Sequence, residues 1–182
     1  MGDQSSEGKL SPFLQKMRLK QAKKYLSGYV LDIGCGNGAL SAYCNSEKYY
    51  GVDISLDIIS MAKTKHPTYT FSTEIPKNKL FNTIVLLAVI EHIKNPDTFL
   101  SEIENLLTKD GVIIITTPHP YFEWFHNIGS KFGIFSSEAN EEHEKLIDLK
   151  SMANILENSN LSIREYHKFL CFANQLFILQ KR

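Results

Sequence analysis

Residues 30–38 read Val-Leu-Asp-Ile-Gly-Cys-Gly-Asn-Gly, and no other stretch limits the fold so tightly. An apolar strand runs into an acid, then into a turn with glycine at every second position, then toward a helix. Glycine lets the backbone bend sharply and lets a ligand approach the peptide groups. The exposed N–H groups at a helix start favour an electron-rich partner. A second acid, Asp53, closes the next apolar run, nineteen residues after Gly34. A carboxylate at that place can accept both ribose hydroxyls of a nucleoside.

The rest of the chain repeats the alternation. Tyr29 to Ile33 is predicted as a strand, followed by a helix from Gly38 to about Asn45. Tyr49 to Val52 is the next strand, and Leu56 to Lys65 a helix capped by Ser55 or Asp57 and closed before Pro67. Short apolar runs at 68–71, 82–89 and 112–116 complete a set of strands, and Gly111 is expected to end the turn before the last. The run at 82–89 is nearly continuous, as in a strand covered on both faces. Asn95-Pro96 opens another helix, and Asp148 caps one that runs to about Asn158. Residues 162–169 and 172–180 read as a terminal hairpin. Strand–helix alternation of this kind gives a parallel sheet wrapped by helices, with ligands at the carboxyl ends of the strands.

Ahead of the first strand, Ser11-Pro12 starts a helix expected to end at Gly28. One face of it carries Lys16, Arg18, Lys20, Lys23 and Lys24. That face is either solvated or in contact with an anionic substrate. Residues 1–9 are a polar tail, and 10–182 are expected to form a single domain with residues 10–28 as its N-terminal helix. Residues 119–147 interrupt the alternation and are expected to form a lid on the substrate side.

Two ligand classes fit the glycine turn. Gly34, Gly36 and Ala39 satisfy dinucleotide spacing, a weak signal by itself. The other candidate is S-adenosylmethionine, which has no pyrophosphate but an ammonium, a carboxylate and a sulfonium. Asp32 would repel a pyrophosphate and suits an ammonium. The balance favours the sulfonium cofactor.

At this point the chain resembles the class I S-adenosylmethionine-dependent methyltransferases, in particular their small-molecule branch. The resemblance rests on Asp32-Ile33-Gly34-Cys35-Gly36-Asn37-Gly38, on Tyr50-Gly51-Val52-Asp53, on Ile90-Glu91-His92 with Asn95-Pro96, and on Leu107 to Gly111 followed by Ile113 to Pro118. It spans roughly residues 28–180. It implies an α/β fold: a seven-stranded doubly wound sheet of order 3-2-1-4-5-7-6, strand 7 antiparallel, with helices on both faces. It implies that Asp32 holds the methionine ammonium, that Gly34, Cys35 and Gly36 line the methionine, that Asp53 binds the ribose, and that Ile54 packs on adenine. Ser72 and Thr73 stand where the family has an acid, so only a backbone contact to adenine is expected there. Leu87 would face the methionine end. Asn82 and Thr83 replace a usual Phe-Asp pair.

Methyl transfer to a weak nucleophile needs a base, and His119, after the fifth strand, is the candidate. Tyr121, Trp124, His126 and His143 are candidate acceptor contacts. Each feature has a plainer explanation. The glycines could serve only the turn, Asp53 could be a helix cap, and Glu91-His92 could brace a loop. The histidines could be packing residues and the aromatics a lid core.

Lys plus Arg and Asp plus Glu both number 20, which disfavours a nucleic-acid substrate. The longest apolar run, Ile84 to Ile90, is too short to span a bilayer. The first ten residues carry no apolar signal core, and three unpaired-looking cysteines (Cys35, Cys44 and Cys171) suit buried thiols in a reducing cytoplasm. No metal site is expected. The function expected is methyl transfer to the O or N of a small-molecule or glycan- or lipid-linked acceptor, by a monomer or homodimer. A cofactor-binding partner subunit with little activity and a nicotinamide-dependent oxidoreductase are the alternatives.

Overall fold

A computed structural model describes residues 11–120 and 147–182. The expected tail at 1–9 and the interior of the expected lid lie outside them. The described residues pack around one seven-stranded sheet, order β3-β2-β1-β4-β5-β7-β6. Its strands are β1 (Val30–Ile33), β2 (Tyr49–Val52), β3 (Thr70–Ser72), β4 (Phe81–Leu87), β5 (Leu107–Pro118), β6 (Leu161–Phe169) and β7 (Asn174–Lys181). Strands β1 to β5 run parallel to one another, and β7 lies antiparallel between β5 and β6. The predicted order and the terminal hairpin are both present.

Helices α1 (Ser11–Ala22), α2 (Leu56–Lys65), α3 (Pro96–Glu104) and α4 (Leu149–Ile155) divide between the faces. Strand residues alternate faces. Val30, Val85, Ile114 and Ile178 pack with Leu19 and Ala22 of α1 and Ile59 and Ala62 of α2. Leu31, Ile84, Ile113 and Phe177 pack with Leu100 and Ile103 of α3 and Met152 of α4. Ile84, Val85 and Leu86 are all fully buried, which explains their unbroken apolar run.

Local chemistry sets the boundaries. The Ser55 hydroxyl accepts from the Ile58 N–H and starts α2, and the Asp148 carboxylate accepts from the Ser151 N–H and starts α4. Asn82 and Thr83 tie the entry to β1. Asn82 Oδ1 accepts from the Tyr29 N–H, and Thr83 Oγ1 accepts from the Ser27 N–H while donating to the Ser27 carbonyl. Buried Gln175 of β7 donates to the carbonyls of Pro118 and Ile147, joining the two ends of the 119–147 segment.

Several expectations need correction. The helix predicted over 38–45 is a short 3-10 turn, Ala39–Tyr43, followed by another at Ser46–Lys48. Cys44 is extended, and the Asn45 side chain accepts from the Glu47 N–H, so the chain restarts instead of winding on. Five residues are too few to repay nucleation of an α-helix. Helix α1 ends at Ala22, well before Gly28; the Tyr25 hydroxyl donates to Glu165 on β6, which draws the chain across the sheet. Strand β4 stops at Leu87 because Ala88 adopts φ 57°. Strand β5 begins at Leu107, pairs with Phe81, and carries Gly111 inside it. Helix α4 ends at Ile155, short of Asn158. Of the thiols, Cys35 is buried, Cys44 is half-buried and Cys171 is exposed.

Candidate functional site

The glycine turn crosses the carboxyl edge of the sheet between β1 and β2. The Gly34 and Cys35 N–H groups donate to the Val52 carbonyl at 2.8 and 2.9 Å, which folds the turn back onto β2. Gly34 and Gly36 have φ of 69° and 52°, conformations that L side chains rarely adopt. The two differ in surroundings. A Cβ on Gly34 would lie 2.4 Å from Val89 Cγ2, whereas one on Gly36 would meet no atom within 4 Å. The space over Gly36 belongs to a cleft of about 400 Å³, lined by Asp32, Gly34, Cys35, Leu87 and, from α1, Arg18 and others.

Asp32 is 3% exposed and accepts a 2.7 Å hydrogen bond from the Tyr49 hydroxyl. Burial pushes its carboxyl up to about 7; the Tyr49 bond opposes this, and the charge of Asp53 adds to it. Asp53 stands at the end of β2. Its Oδ2 accepts from the Gly36 N–H and its Oδ1 from the Ser55 N–H, both at 3.1 Å. One carboxylate therefore links the turn to the start of α2 and keeps acceptor lone pairs to spare. Ile54, beside it, is 96% exposed, an apolar side chain with an uncovered face. Ser72 and Thr73 are half-buried at the end of β3; the Ser72 carbonyl accepts from the Asp53 N–H and the Ser72 hydroxyl from the Glu74 N–H. Cys35 is buried and bonded to the Gly36 carbonyl, and burial raises its thiol far above the usual range, so it lines the turn as a neutral group.

In the sequence Arg18 was legible only as one of five cations on the longer helix predicted up to Gly28. The fold turns it into the cleft, where its Nε donates to Asn174 Oδ1 at the start of β7, 2.9 Å away. His119 goes elsewhere. Its backbone N–H bonds to the Ala173 carbonyl, and its side chain lines a second cleft of about 640 Å³ with Asp148, Tyr166 and Lys168. Burial and the Lys168 charge lower its pKa. Tyr121, Trp124, His126 and His143 lie outside the described residues.

A buried carboxylate, an open glycine cradle, a second carboxylate on the next strand and an arginine thus share one edge. A family model described as "Methyltransferase domain" matches residues 6–166. The chain belongs to the methyltransferase domain family. The resemblance to class I S-adenosylmethionine-dependent enzymes is borne out by this match and by the fold. The methyltransferase domain is 26% identical, over 166 residues, to the ubiquinone biosynthesis O-methyltransferase of Pelagibacter ubique, covering 84% of this chain and 69% of that protein. It is 31% identical over 132 residues to the mitochondrial ubiquinone biosynthesis O-methyltransferase of Candida albicans, covering 63% of this chain and 40% of the other. Among solved structures, the plantazolicin methyltransferase BpumL in complex with a monoazolic desmethylPZN analog and SAH superposes with a TM-score of 0.69 at 14% identity, over 96% of this chain and 86% of that one. Magnesium protoporphyrin IX methyltransferase from Synechocystis with bound SAH gives 0.64 at 17% identity, over 94% and 82%. These two share the fold. Among the described residues no helix is long and apolar enough to cross a membrane.

Proposed function

We propose that the domain binds S-adenosylmethionine in the cleft over Gly36 and transfers its methyl group to an oxygen or nitrogen of a small-molecule or glycan- or lipid-linked acceptor. The observation that carries this reading is the open face of Gly36, flanked by Asp32 and Asp53. The cofactor would supply an activated methyl on a sulfonium, and the protein supplies orientation and electrostatics.

Asp32 holds the ammonium, and Arg18 the carboxylate, of the amino-acid tail. Gly34, Cys35 and Gly36 present a neutral, side-chain-poor wall to the methionine, with Leu87 at its reactive end. Asp53 accepts from the ribose hydroxyls. The exposed face of Ile54 packs on adenine, and the backbone at Ser72 and Thr73 meets its edge. The turn and its two carboxylates are negative where the donor is positive. The Pelagibacter and Candida relatives are named as O-methyltransferases, which favours a hydroxyl acceptor.

A hydroxyl nucleophile gives up a proton. His119 is the proposed base: its lowered pKa keeps the ring neutral near pH 7 and able to accept. That ring lines the second cleft with Lys168, Tyr166 and Asp148, so this role requires an acceptor that bridges the two clefts and keeps its hydroxyl in line with the methyl. Calorimetric titration with S-adenosylhomocysteine, followed by labelled methyl transfer to a panel of phenols, sugars and lipid-linked glycans, tests the reading. Saturable binding, weakened at least about tenfold in Asp53→Ala, is expected; absence of binding by the wild-type chain refutes it.

A further inference from the structure

We propose that Tyr49 is a positioning residue for cofactor binding, donating its buried hydroxyl to Asp32 so that the charged form of this carboxylate is favoured and held aimed at the cofactor. The inference rests on the reading that Asp32 receives the cofactor's ammonium.

Tyr49 opens β2 and is 1% exposed. Its ring is fixed edge-on against Tyr69 and Phe71, with centroids 5.6 and 5.7 Å away. The hydroxyl therefore cannot swing away from Asp32 Oδ2 at 2.7 Å. Asp32 sits in mid-sheet, opposite Gly51 on β2 and Val85 on β4. Gly51 has no side chain and Val85 is apolar, so neither offers a donor. The titratable and charged groups facing Asp32 are Tyr49 from β2, Asp53 beyond the end of β2, the Cys35 and Cys44 thiols from the β1–β2 crossover, and Arg18 of α1 across the cleft. Asp53 disfavours its charge, and the thiols are neutral, that of Cys44 pushed up to about 12. The hydroxyl is the neutral donor that holds the negative form. It is an O–H with its own pKa raised by burial, so it donates without competing for the charge.

A tyrosine placed only for packing would use Asp32 as a convenient partner for its hydroxyl. The two roles separate in the pH dependence of binding. Tyr49→Phe keeps the ring stack and removes the donor. Titration of wild type, Tyr49→Phe and Asp32→Asn with S-adenosylhomocysteine over about pH 6 to 9 gives the test. Loss of a hydrogen bond to a carboxylate raises its pKa by about one unit or more. The ligand's own amine titrates identically in every arm, so the ratio of dissociation constants isolates Asp32. The Tyr49→Phe to wild-type ratio is expected to rise from near unity at about pH 9 to roughly fivefold at about pH 7 and about tenfold at about pH 6. A ratio constant across that range overturns the proposal and leaves Tyr49 a packing residue. Wild-type affinity in Asp32→Asn overturns the parent reading of Asp32 instead. A melting curve of Tyr49→Phe at about pH 6, where Asp32 is largely protonated in both proteins, separates misfolding from these outcomes.

Discussion

Gly34 and Gly36 stand two residues apart with the same backbone handedness, yet alanine should damage them in different ways. At Gly36 the added methyl meets nothing within 4 Å, so folding costs only the left-handed conformation, about 1–2 kcal/mol. For a domain of this size that lowers the melting temperature by roughly 2–8 °C. The same methyl intrudes on the proposed cofactor. Overpacking costs about 1–3 kcal/mol, so affinity for S-adenosylhomocysteine should fall roughly five- to 150-fold. At Gly34 the methyl would sit 2.4 Å from Val89 Cγ2, and the same conformational cost is joined by a clash inside the fold. Gly34→Ala should therefore lose about 2–5 kcal/mol of stability. Calorimetric titration and thermal melting on the same preparations measure both quantities. If Gly36→Ala melts a few degrees low but binds S-adenosylhomocysteine as wild type does, no ligand lies against that turn and the site is misassigned.

Three further expectations follow from the same geometry. Asp53→Ala removes the ribose acceptor and the bond to the Gly36 N–H, so affinity should fall at least about tenfold; unchanged binding by calorimetry counts against the assignment. Arg18→Ala should weaken S-adenosylhomocysteine about tenfold and leave 5′-methylthioadenosine, which has no carboxylate, unaffected; equal losses for both would assign Arg18 a structural role through Asn174. Asp32 binds its proton more tightly folded than unfolded, so its contribution to stability is full below about pH 4 and is lost as pH rises through about 7. Asp32→Asn should then be more stable than wild type at about pH 8, by up to on the order of 4 kcal/mol, with the gap closing toward about pH 4. A gap that does not change with pH in thermal unfolding would rule this out.

The local grammar of the chain was legible residue by residue. Alternating apolar runs set the strands, the spacing of Gly34, Gly36 and Gly38 set the turn, and the acids Asp32 and Asp53 stood at strand ends where any parallel sheet places its ligands. These depend on backbone conformation and short-range periodicity, which neighbouring residues fix. What lies across the sheet was not legible. Tyr49 meets Asp32 only because β2 pairs with β1 in a register that brings its ring over the carboxylate. Arg18 enters the cleft because α1 crosses toward β7, 156 residues away in sequence. His119 follows the alternation of β5 onto the face of α4, away from Asp32, which its position after a strand could not reveal. Sequence decides what each segment can be. Strand order and register decide which segments' side chains meet, because a contact between distant residues is a property of the assembled layers and of no segment alone.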